Sequence, residues 1–198
     1  FEADTEKQVE QFTESVRFDH RLYAQDIRAS IAHAQMLAHA GVLDEDECEQ
    51  IVAGLEAIGD EIAAGTFVFR VELEDIHMNI ERALIQRIGD VGRKLHTGRS
   101  RNEQVSLDTR LWLRAEIDSA VQLLQGVLEA LLNLAERYPN AVIPGYTHLK
   151  RAQAVLWPHY LLAYFEMFAR DVERLRQAHA RTNVLPLGSG ALAGSAFP

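Results

Sequence analysis

Cysteine is nearly absent. Cys48 is the single one in 198 residues, so no internal disulfide can staple the chain and no cysteine pair can ligate zinc. Proline is scarce too, five in all and none before Pro139, which leaves the first two thirds free to stay helical. No run approaches the ~18 to 20 apolar residues that a membrane span needs, and no basic-then-apolar leader opens the sequence. Positive charge is in short supply: 20 Lys and Arg stand against 29 Asp and Glu, a net charge of -9. That balance argues against a general nucleic-acid or anionic-membrane binder, whose affinity rests on neutralising phosphates. Together these absences lead us to expect a cytoplasmic protein. The first residue is Phe1 and the last Pro198, so both ends read as cut rather than natural.

What is present is ordinary globular material, 47% hydrophobic and 25% charged, enough to bury a core. Helical periodicity dominates. From Asp19, the residues Tyr23, Ile27, Ile31, Ala34 and Ala38 recur at threes and fours until Gly41. Asp44 and Glu47 form a D-x-x-E start signal for a second helix carrying Ile51, Leu55, Ile58 and Ile62 to Gly65. T66-F-V-F-R-V71 reads as an extended connector, and a third helix starts near Asp75 with Ile76, Ile80, Leu84 and Ile88 on one face. After Ser100 the register runs unbroken to Pro139, about 38 residues or roughly 57 Å. A second long helix is expected from about Ala152 to Asn183, with Pro158 as a kink in its first turns. L185-P-L-G-S-G-A-L-A-G194 is a glycine-rich connection leading onward. The expected fold is all-α: a small N-terminal helical domain over 1–98, then the first long helices of a central bundle over 99–198. The long helices carry a wider apolar stripe than one contact covers, so the chain is expected to self-associate and to pack these helices antiparallel.

Three polar stretches interrupt this pattern. In K-L-H-T-G-R-S-R-N-E-Q104, Ser100 and Glu103 have capping-box spacing. A capped N-terminus favours a bound anion; Arg99 and Arg101 bring forked donors for carboxylates, Asn102 an amide, and Gly98 lets backbone approach closely. A plain capped helix with solvated arginines fits the same residues. In P-G-Y-T-H-L-K-R-A-Q153, Pro-Gly is read as a turn placing Thr147 and His148 at the entrance of the next helix. Histidine suits proton transfer near neutral pH, although taken singly such a residue is more often a hydrogen-bonded histidine at a helix start. In E-D-I-H-M-N-I-E81, Asp75 and His77 flank a helix start, with Glu81 four residues past His77; without H-E-x-x-H this is weak support for a metal, and none is expected. Ser15, in F-T-E-S-V-R-F-D19, says nothing alone. His20, His33, His39, His159 and His179 lie within helical runs and are given no chemistry.

Taken in order, E-S-V-R-F-D, E-D-I-H-M-N-I-E, K-L-H-T-G-R-S-R-N-E-Q, P-G-Y-T-H-L-K-R-A-Q and N-V-L-P-L-G-S-G-A-L-A-G resemble the argininosuccinate lyases of the fumarase/aspartase superfamily. The resemblance covers essentially the whole chain. It implies reversible β-elimination of argininosuccinate to arginine and fumarate, in arginine biosynthesis, with no metal or organic cofactor. A base takes a proton beside a carboxylate, and an acid protonates the departing guanidinium nitrogen. The dianionic intermediate demands preorganised cationic and hydrogen-bonding groups, which gives an acidic protein a reason to keep a cationic corner. By the same resemblance Ser15, Asn102 and Thr147 bind substrate, His148 is the acid/base histidine, and Asp75, His77, Ser100 and Arg101 are pocket neighbours. Ala154 stands where R-A-Q is commonly followed by proline. The family's G-S-S-x-M-P-x-K-x-N loop with its catalytic serine is absent, so the chain alone is expected to be inactive. Family members are homotetramers in which three subunits build each site. The competing readings are a non-enzymatic, crystallin-like or interaction fragment, and a related lyase releasing fumarate from another substrate.

Overall fold

The computed structural model describes residues 6–197. Two short helices, α1 (Lys7–Thr13) and α2 (Val16–Asp19), precede α3 (Tyr23–His39), α4 (Glu45–Ala63), α5 (Ile76–Ile88) and α6 (Asp90–Lys94). The 37-residue α7 (Arg101–Arg137) follows, then strands β1 (Val142–Thr147) and β2 (Lys150–Leu156), then α8 (Trp157–Thr182). The chain divides into two compact units. One runs to Trp112 and includes the residues from Leu185 on; the other is Leu113–Val184. The division expected at residue 98 followed the change from short to long helices, whereas the compact units part inside α7.

In the first unit, the expected caps do set the helices. Asp44 accepts from Glu47 N at 2.8 Å and Glu47 reaches back to Asp44 N at 3.3 Å, a complete capping box at the start of α4. Asp75 accepts from Met78 N at 2.6 Å and starts α5 in the same way. Both helices then turn one apolar face inward: Ile51, Leu55 and Ile58 of α4 and Ile76 and Leu84 of α5 are 0% exposed. They meet Leu37 of α3, also fully covered. The connector is extended over 66–70 and joins no sheet; Thr66 N and Phe67 N donate to Glu61 O, and at its far end Arg70 N donates to Asn79 Oδ1 at 2.8 Å while Asn79 Nδ2 donates to Arg70 O at 3.1 Å. Leu84→Ala is expected to lower unfolding free energy by about 2–5 kcal/mol in a urea titration, since this site lies fully inside the core.

In the second unit, β1 and β2 pair antiparallel, Val142 opposite Leu156 and Thr147 opposite Lys150. This corrects the reading of residues 144–156. Pro144 and Gly145 lie within a strand, at an irregularity of the ladder, and the turn is at His148 and Leu149. Gly145 tolerates the irregularity because a Cβ there would stand 3.0 Å from Gln153 O. The helix begins only at Trp157, so Pro158 occupies its first turn, where a missing N–H is harmless, and produces no kink. The β-branched and aromatic residues Val142, Ile143, Tyr146, Thr147 and Val155 suit a two-stranded ribbon. His179 lies 3.6 Å from Asp118 while Trp157 N donates to Ala141 O at 2.8 Å, so α8 returns antiparallel to α7. Among the described residues the architecture is all-α apart from this hairpin. No helix among the described residues is long and apolar enough to cross a membrane.

Candidate active site

Six of the eight residues singled out in the sequence lie in the first unit, around α5. At its N-terminus, Ser15 N and Val16 N both donate to Glu74 O, at 2.9 and 3.0 Å. Glu74 adopts a φ of 66°, a conformation a glutamate rarely takes, and so aims its carbonyl back at α2. The Ser15 hydroxyl donates to Asp19 Oδ2 at 2.5 Å, and the other oxygen of Asp19 accepts from Ile76 N at 3.1 Å. Burial raises the Asp19 carboxyl above its ordinary range against the pull of these two hydrogen bonds, and the charge of Asp75 adds to the rise. Ser15 and Asp75 therefore share one polar corner, although 60 residues separate them in the chain.

In the first turn of α5, His77 is buried and its Nδ1 contacts Asp26 of α3 and, at 3.3 Å, Asp108 of α7. Gln104 Nε2 also donates to Asp26, at 2.8 Å, and Ser30 Oγ donates to its other oxygen at 3.2 Å. Arg99 Nη1 donates to Ser30 Oγ at 3.1 Å. Asp108 is 0% exposed, and neither of its carboxylate oxygens has a hydrogen-bond partner. Burial, then the charge of Asp26, pushes the Asp108 carboxyl up to about 9 despite Arg99 and Arg101, so it holds a proton at neutral pH. The ligand atoms of Asp26, His77 and Asp108 lie within 4.8 Å of one another, close enough to hold an ion. The proton on Asp108 and the adjacent Arg99 guanidinium relieve the like charges of the two aspartates.

A further turn along, Glu81 pairs with Arg101 and accepts from His96 Nδ1 at 3.2 Å. The His96 hydrogen bond, opposed by burial and assisted by Arg101, holds the Glu81 carboxyl down to about 2. Arg101 Nη1 also donates to Gln104 Oε1 at 2.7 Å, which orients the guanidinium beside the first turn of α7. Ser100 precedes that turn: its N donates to Glu103 Oε1 at 2.9 Å and its Oγ accepts from Asn102 N at 3.3 Å. Asn102 itself stays exposed, its amide free to meet a solute. His33, given no chemistry from sequence, is buried and has Nε2 3.0 Å from Thr97 O, pinning the loop that carries these residues.

Thr147 and His148 belong to the other unit. Thr147 ends β1, and His148 and Leu149 form the two-residue hairpin tip, with φ of 50° and 63°. Positive φ at both central residues is the requirement of a type I′ hairpin turn. The turn leaves the imidazole exposed at the apex and places it on a hairpin tip rather than at the expected helix entrance.

The sequence that builds this fold matches a family model described as Lyase over residues 1–198, and the chain belongs to that family. The argininosuccinate lyase of Heliobacterium mobile is 56% identical over 198 residues, all of this chain and 43% of that protein. The argininosuccinate lyase of Nitrosococcus oceani is 55% identical, again over all of this chain and 42% of its own length. The chain thus spans less than half the length of these curated relatives. Among solved structures, EDDS lyase in complex with formate has a TM-score of 0.78 and 34% identity, covering 89% of this chain and 34% of that one.

Proposed function

We propose that the protein is an argininosuccinate lyase and that this chain carries part of its active site. The observation behind this reading is the 55–56% identity to argininosuccinate lyases across every residue of the chain, including all the polar stretches. In this reading Asn102, Ser100 and the start of α7 receive a substrate carboxylate, with Arg101 supplying positive potential nearby. Ser15 and Thr147 add hydrogen bonds to substrate, and Asp75 and His77 are pocket neighbours of Ser15. His148 moves a proton, and its exposed position on a hairpin tip suits a group that must reach a bound substrate. The reaction breaks one C–N bond and removes one proton from the carbon beside a carboxylate, releasing arginine and fumarate. No metal or organic cofactor enters it.

The proposal extends to a cytoplasmic homo-oligomer, a tetramer at full length. The exposed apolar residues of the second unit support association: Leu123 is 72% exposed, and Val127, Tyr138, Tyr160 and Met167 stand between 41% and 49%. The likeness to EDDS lyase favours a second reading, a related lyase releasing fumarate from another substrate. The test is fumarate release by the full-length gene product, followed by absorbance, from argininosuccinate and from a panel of such substrates. Preference for any other member of the panel overturns the first reading. Asn102→Ala is expected to weaken substrate binding and turnover together, because its amide would hold the substrate before and during reaction; wild-type kinetics would remove Asn102 from the site.

A further inference from the structure

Glu103 stands in the first turn of α7, next to Asn102, and is 5% exposed. Its carboxylate is fully engaged by backbone. Oε1 accepts from Ser100 N at 2.9 Å, while Oε2 accepts from Gly188 N at 2.9 Å and Gly190 N at 2.8 Å. Two N–H groups of one glycine-rich turn converging on a single oxygen make a small anion-holding concavity. The turn is available only to glycine: Gly188 and Gly190 have φ of 104° and 61°, and a Cβ on Gly190 would stand 2.7 Å from Gly194 O. Farther on, the same segment lays Phe197 over Gly98, whose added Cβ would meet the ring at 3.2 Å. Residues 188–197 thus touch Gly98 and Glu103, on either side of Ser100 and Asn102, and leave Asn102 exposed.

We propose that Glu103 is a positioning residue, a clasp that locks the glycine-rich segment 188–190 onto the start of α7 and thereby holds Ser100 and Asn102 in place for a substrate carboxylate. Burial pushes the Glu103 carboxyl up, but the hydrogen bonds from Ser100, Gly190 and Gly188 outweigh it and leave it below its usual range, so the clasp is charged at neutral pH. A capping serine or glutamate needs only local partners; this one reaches 85 and 87 residues along the chain. The assignment to substrate positioning rests on the lyase reading above, whereas the clasp itself does not.

The test uses the full-length gene product with Glu103→Gln, which keeps side-chain length but removes the charge, and Glu103→Asp, which keeps the charge. Hydrogen exchange of the peptide covering 185–197 reads the clasp, and steady-state fumarate release reads the positioning. Glu103→Gln is expected to speed exchange in that peptide and to lower kcat/KM by about 10- to 100-fold, chiefly through KM. Glu103→Asp should retain more of both than Glu103→Gln. Wild-type exchange in Glu103→Gln overturns the clasp whatever the substrate. Equal activity losses in the two variants, tracking folded fraction with KM unchanged, would assign Glu103 to stability alone and overturn the positioning role. If the wild-type enzyme does not act on argininosuccinate, the functional reading falls, and the exchange measurement still decides the clasp.

Discussion

His148→Asn in the full-length gene product is expected to lower turnover of argininosuccinate by about 10²- to 10⁴-fold, the range lost with a positioned acid or base, while substrate binding changes far less. The histidine sits at an exposed hairpin tip, so the substitution removes no core contact and leaves the fold intact. Asparagine also tolerates positive φ better than most residues, so the turn keeps its shape. The loss therefore falls on proton transfer, an interaction made in the transition state, and kcat should carry it. Single-turnover fumarate release with a parallel binding titration separates the two. Unchanged turnover would remove this histidine from the mechanism.

Asp108→Asn is expected to flatten the dependence of stability on pH. Folding raises this carboxyl from an ordinary 3.8 to about 9, so across that window the folded chain keeps a proton that the unfolded chain has released. Stability accordingly falls as pH rises from about 4 towards about 9, with a slope approaching about 1.4 kcal/mol per pH unit for one proton. Asparagine carries no titratable group and keeps the size of the side chain. The variant should lose this slope and gain on the parent as pH rises. Urea titrations of both proteins at pH 5, 6, 7 and 8 check it, and parallel curves would sink the claim. The ionised Glu81 contributes with the opposite sign: its stabilisation is present above about 4.5 and is lost only as pH falls towards about 2.

Much of the fold was legible because local signals and burial agree. The D-x-x-E start of α4, the Asp75 cap of α5 and the long run of α7 each rest on neighbours within four residues. The hairpin was not legible, since almost every residue from 142 to 156 is exposed on at least one side and no clean alternation marks a buried face. Pro158 misled for a related reason: a proline near a helix start is neutral or disruptive depending on a boundary that sequence places poorly. In the candidate site, the polar stretches were visible as composition, but their long-range partners were not. Asp26 and Asp108 lie in helical runs beside Ile27 and Leu107, where an acidic residue ordinarily faces water; the signal was a carboxylate falling on the apolar face. Glu103 read as a local cap, and nothing nearby announced that its second oxygen would be taken by glycines 85 and 87 residues away.

The hairpin tip sets two selective pressures against each other. His148 and Leu149 both occupy left-handed backbone, where glycine or asparagine is the more stable choice. A population of variants enriched only for heat resistance should therefore drift towards Asn-Gly at these two positions, with the ladder between Thr147 and Lys150 undisturbed. Enrichment for growth that depends on the enzyme should drift the same way at Leu149 and refuse any change at His148. The two adjacent positions, alike in backbone shape, would then part company in a single experiment, and the residue that resists would mark where chemistry overrides conformational preference.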